Sequence, residues 1–88
     1  MITIYPNPVV AGNAINIGCE KLKEGYYLLS LLNRFGRQME TLQVWIDADA
    51  LLMDLRIPSV SAGDYSLTLT NAMSGQRFIQ SISIVNKL

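Results

Sequence analysis

Eighty-eight residues make room for one domain with one hydrophobic core, at a size where the margin of buried over exposed surface is thin. Half of the residues are apolar and 16% are charged, with seven basic side chains against seven acidic ones, which excludes a disordered segment and a basic nucleic-acid-binding stripe. There is no histidine and one cysteine, so the commonest general base and metal ligand is missing and no internal disulfide can form.

The chain reads as strands separated by turns. `ITIY` places Ile2 and Ile4 on one face, the period of two expected of a β-strand. `YPNPV` follows: each proline fixes φ, removes a donor and biases the residue before it toward extended geometry. The segment is expected to be a stiff, extended exit from a strand that also blunts an edge. `VVAGN` carries turn chemistry in Gly12 and Asn13, and `AINI` resumes alternation with Ile15 and Ile17.

`YYLLSLLN` is apolar on both parities. Tyr27, Leu29 and Leu31 form one face and Tyr26, Leu28 and Leu32 the other, which predicts a central strand covered twice or one with an adhesive outer face. `NRFGR` predicts a hairpin turn with Gly36 at positive φ. `QMETLQVWI` keeps Leu42, Val44 and Ile46 in step and puts Trp45 out of phase, toward solvent. `ADALLMDLR` fits either a helix capped by Asp47 or a strand; strands on both sides favour the strand. Tyr65, Leu67 and Leu69 alternate with Ser66, Thr68 and Thr70 over 63–71, and a turn at Ser74–Gly75 leads into a final strand over 76–86. In that strand Phe78, Ile82 and Ile84 face one way and Ile79 and Val85 the other.

About seven strands at roughly ten-residue spacing predict an all-β fold, an immunoglobulin-like antiparallel β-sandwich in a single domain spanning 1–88. Without a disulfide, apolar packing between two sheets must hold it.

The chemistry-bearing side chains do not assemble into a catalytic or metal site. Asp47, Asp49 and Asp54 lack the glycine and terminal glutamate of a calcium loop, and the glycines are too scattered to cradle phosphate. Cys19 has no histidine to activate it and reads as a small apolar residue. The expectation is a protein that is no enzyme and holds no metal or cofactor. No apolar run approaches the ~20 residues of a membrane-spanning helix. Met1 leads straight into `ITIY` without a signal peptide, so the chain is either cytosolic or a piece of a longer protein. Near-zero net charge favours self-association, which makes a homodimer one expected assembly.

In this order and spacing, `IYPNPV`, `LLNRFGR`, `AGDYSLTLTN`, Gly75 to Phe78 and a lysine close to the end resemble the type A C-terminal sorting domain of the type IX secretion system of Bacteroidetes, over residues 2–88. Tyr5, Pro6, Asn7 and Pro8 match that family's opening motif, Gly36 the glycine after its third strand, Ala62, Gly63 and Tyr65 its Ala-Gly-x-Tyr motif, and Lys87 its terminal basic residue. Val60 and Ser61 stand where many members have Leu-Pro, and the tail holds one lysine.

The resemblance implies an address on a larger protein. An N-terminal cargo with its own signal peptide would reach the periplasm, and the sorting domain would be read by the type IX translocon. A surface sortase would then remove it as the cargo is attached to the cell surface or released. The competing reading is an Ig-like accessory module, a spacer or a glycan-binding domain of a secreted or surface protein, for which Trp45 is the one aromatic candidate.

Overall fold

A computed structural model describes residues 2–87. Eight strands run in chain order: β1 (Ile4–Tyr5), β2 (Val9–Val10), β3 (Ala14–Gly18), β4 (Gly25–Asn33), β5 (Gln38–Ile46), β6 (Leu52–Arg56), β7 (Gly63–Asn71) and β8 (Arg77–Val85). They form a three-stranded sheet ordered β1-β3-β6 and a five-stranded sheet ordered β2-β8-β7-β4-β5. In immunoglobulin lettering this is A-B-E against G-F-C-C′, with the first strand divided between the sheets, and the fold is an immunoglobulin-like sandwich.

Two expectations need correction. Among the described residues the strands number eight, one beyond the seven segments read from the sequence, because Val9 and Val10 form a short strand in place of a turn. That strand pairs with β8 in parallel, Val9 opposite Ile84, so the sandwich is antiparallel everywhere except there. Nor is `YPNPV` an extended exit. Both Tyr5-Pro6 and Asn7-Pro8 peptide bonds are cis, and residues 6–8 bend, carrying the chain from the edge of one sheet to the edge of the other.

The core lies between the sheets. Ile15, Ile17, Leu67 and Leu69 are fully buried, joined by Tyr27, Leu29, Leu31, Ile82 and Ile84. One face of β4 is therefore core, as its alternation predicts, and on the other Tyr26 and Leu28 are exposed while Ser30 is buried. `ADALLMDLR` resolves into a turn closed by Ala50 N–H on the Asp47 carbonyl, followed by β6. Met53 and Leu55 point inward opposite Ile17 and Ile15.

Leu42, Val44 and Ile46 share a phase, yet only Ile46 is buried and Leu42 is exposed. The reason is layer width. β5 is the fifth strand of its sheet and the facing sheet has three, so most of its inner face overhangs the core. Thr68 points outward as predicted but is buried, flanked across the ladder by Ser30 and Ile79.

Candidate functional site

Four loops converge at one end of the sandwich. Asn33, Tyr65 and Ile82 lie level across β4, β7 and β8, and Gly63 lies opposite Ile84. The 33–37 turn, the 57–63 segment, the bend at 6–8 and the chain leaving β8 all belong to this end. Most of the residues singled out by sequence are brought here.

Asn7 is the hinge of the arrangement. Its Nδ2 donates to the Ser81 carbonyl at 3.1 Å and its Oδ1 accepts the Ser83 N–H at 2.9 Å. The side-chain amide thus pairs with β8 as another strand's backbone would, one step ahead of Val9. Both flanking prolines lack an N–H, so the asparagine side chain supplies donor and acceptor where the main chain has less to give. Tyr5, Pro6, Asn7 and Pro8 are all solvent-facing.

Tyr65 buries its ring and donates its hydroxyl to the Ser61 carbonyl at 2.7 Å, four residues upstream at the entry to β7. This is the tyrosine corner of immunoglobulin-like domains. Gly63 has φ of 156° and stands against the ring: a Cβ there would lie 3.9 Å from Tyr65 Cε1. A second corner of the same make, Tyr27 to the Lys23 carbonyl at 2.7 Å, opens β4 at the opposite end.

Gly36 closes the β4–β5 turn at φ 82°, donating its N–H to the Asn33 carbonyl at 2.9 Å. Asn33 Oδ1 accepts the N–H groups of Phe35 and Arg37, both at 2.9 Å. That turn projects Phe35, 80% exposed, with the Arg34 guanidinium 4.8 Å from its ring centre.

Two adjoining grooves cross this end. One of about 410 Å³ runs between Asn7, Arg34, Asp64, Tyr65 and Ser83. The other, about 660 Å³, lies between the 33–35 turn and the 59–65 segment, with Ala62, Gly63 and Tyr65 on its wall. Arg34, Asp64 and Tyr65 border both. Asn7 of the opening motif and Tyr65 of the Ala-Gly-x-Tyr motif therefore line one groove, while Tyr5, Pro6 and Pro8 border neither. Gly36 supports this end from within the turn. Lys87 is exposed two residues beyond β8 and borders neither groove.

Asn33 and Arg34 stand within `LLNRFGR` and Asp64 within `AGDY`, yet the sequence alone assigned none of the three a place in the site. The `NRFG` spelling carries the Asn33 signal, since an asparagine three residues before a glycine suits an Asx-capped turn. Nothing local marks Arg34 or Asp64, because their proximity arises from register between β4 and β7.

The arrangement offers hydrogen-bonding groups and one charge of each sign on a rigid frame. Among the described residues no group of three or more cysteine, aspartate and glutamate side chains gathers as metal ligands would. No described helix is long and apolar enough to cross a membrane. Cys19, buried behind β3 with its Sγ on the Ile17 carbonyl, lies outside this surface, and burial pushes its thiol pKa up.

No protein-family model matches the sequence, and no curated protein matches it. Among solved structures the chain is similar to part of PorZ, an essential bacterial surface component of the type IX secretion system of Porphyromonas gingivalis. The superposition has a TM-score of 0.66 at 14% identity and covers 96% of this chain and 11% of the PorZ chain. At that identity the likeness establishes a shared fold, and the chain spans only a small part of PorZ.

Proposed function

We propose that this chain is a non-catalytic sorting domain read by the type IX secretion machinery, directing an N-terminal cargo across the outer membrane for surface attachment or release. One observation carries the reading: residues far apart in sequence, Asn7 of `YPNP` and Asp64 and Tyr65 of `AGDY`, wall one groove at one end of the sandwich. A recognition signal needs such a rigid, exposed constellation, and apart from the buried Tyr65 ring the motif residues face solvent. The fold shared with a stretch of a type IX surface component supports the same role. On this reading the partners are the translocon and a surface sortase, and the domain's route runs through the periplasm to the cell surface.

The test fuses residues 1–88 behind a reporter with its own signal peptide in a type IX-competent host. Surface or medium localisation of the reporter is expected. Arg34→Glu and Lys87→Ala, both at exposed positions, are expected to lower export while the isolated domain keeps its far-UV circular dichroism. A reporter retained in the periplasm overturns the proposal.

A further inference from the structure

A second surface lies at the opposite end of the five-stranded sheet, on its outer face. Tyr26 and Trp45 stand directly opposite each other on β4 and β5. Their ring centres are 4.9 Å apart at an interplanar angle of 71°, edge to face. Such a pair is mutually favourable, yet here it is not core: Tyr26 is 53% exposed and Trp45 49%. Beside them runs an open groove of about 550 Å³, walled on one side by Lys23, Glu24 and Gly25 and on the other by Asn71, Met73 and Ser74.

Three details give this groove a chemistry. The indole Nε1–H donates to Asp47 Oδ1 at 2.8 Å, which fixes the ring and leaves the groove a flat aromatic face with no polar demand of its own. Asn71 Oδ1 is spent on the N–H groups of Met73 and Ser74, at 2.9 and 2.8 Å, which orients its Nδ2 the other way. That Nδ2 has no hydrogen-bond partner among the described residues and faces Gly25 on the opposite wall, where a Cβ would stand 3.7 Å from it. On a residue only 8% exposed, it is the donor turned to the groove. Lys23 and Glu24 add one charge of each sign, so the rim has no net charge to select an ion.

We infer that this groove binds a neutral saccharide, a pyranose ring lying on the Tyr26–Trp45 corner with its hydroxyls on Asn71, Glu24 and Ser74. A pyranose has an apolar C–H face and an equatorial belt of donors and acceptors. An aromatic platform with a mixed polar rim complements both parts at once. An apolar ligand would leave the Asn71 amide and the charged rim unpaired, and a strong anion would meet Glu24. The groove is open, so a residue within a longer glycan chain can enter as readily as a chain end. This site is separate from the motif-bearing end and does not rest on the sorting reading.

Trp45 is the only tryptophan, so fluorescence excited beyond the tyrosine absorption band reports on this groove alone. The purified domain is titrated with cellohexaose, maltohexaose, xylohexaose and chitohexaose. At least one is expected to give a saturable change with a dissociation constant on the order of 1 mM. Tyr26→Ala, which keeps the reporter, is expected to weaken binding by about tenfold. Trp45→Phe, followed by NMR shifts at Asn71 and Ser74, keeps a platform and retains part of the affinity, whereas Trp45→Ala abolishes it. Both positions are exposed, and circular dichroism checks that each variant folds. The inference is overturned by any of three results: no saturable change with any of the four sugars, binding unaltered by Tyr26→Ala, or saturation by a hydrophobic peptide in their place.

Discussion

Tyr65 joins packing to hydrogen bonding in one side chain: its ring is core and its hydroxyl holds the Ser61 carbonyl. Tyr65→Phe keeps the ring and deletes the bond, so it should cost about 1 kcal/mol, read as a lower urea midpoint with an unchanged slope. An unaltered midpoint would show that the corner holds no stability. Cys19 gives a prediction in pH. Burial raises its thiol pKa above the ordinary 9.0, so the folded state holds the proton more tightly than the unfolded chain. The stability that this supplies is fully present below the unfolded pKa and falls as pH rises through the folded one. Thermal melts from pH 8 upward should therefore show an alkaline decline that Cys19→Ala reduces. Single residues of this kind were partly legible. `NRFGR` marked Gly36 for positive φ because glycine carries a local reason to be in that turn, and its φ is 82°. The role of Asn7 was not legible, since its partners lie more than seventy positions away.

Strands whose periodicity was strong emerged as read: β4, β7 and β8 bury the faces their alternation assigned them. β2 escaped notice because two residues cannot display a period, and its pairing depends on a distant strand. β5 misled in part, because alternation reports which way a side chain points and says nothing of whether a facing strand covers it. The Asn7 clamp belongs at this scale, since it lengthens the parallel contact between β2 and β8. Asn7→Ala should leave the Ser83 N–H without its acceptor and raise that amide's hydrogen-exchange rate by about tenfold. Amides shared between β4 and β7 should be unaffected, because those strands meet on the other side of β8. Equal acceleration throughout the sheet would show that Asn7 acts on global stability and not on this edge.

The molecule as a whole depends on one core cluster spread over both sheets, with no disulfide to assist. A domain of this size has a stability on the order of 5–10 kcal/mol. Leu67→Ala, at a site with no solvent exposure, should remove about 2–5 kcal/mol of it. The check is chemical denaturation, and in a fusion to a stable reporter the same change should raise the protease sensitivity of this domain while the reporter stays resistant. Fold class was legible at this scale because it follows from strand number and spacing, which composition and turns mark plainly. The surfaces were not: both grooves at the motif-bearing end and the aromatic groove arise where register sets distant residues side by side. The two are carried at opposite ends of one rigid frame, so a partner at either leaves the other free.

The attachment of Asn7 and β2 to β8 also has a meaning in time. A protein is made from its first residue onward, and five strands separate β2 from the strand it pairs with. Until β8 has left the ribosome, the bend at 6–8 has nothing to fasten to, and the groove between Asn7 and Tyr65 does not exist. A chain cut short before β8 would carry the `YPNP` and `AGDY` letters without the surface they form together. That surface is therefore a mark of a chain whose synthesis has run past Val85.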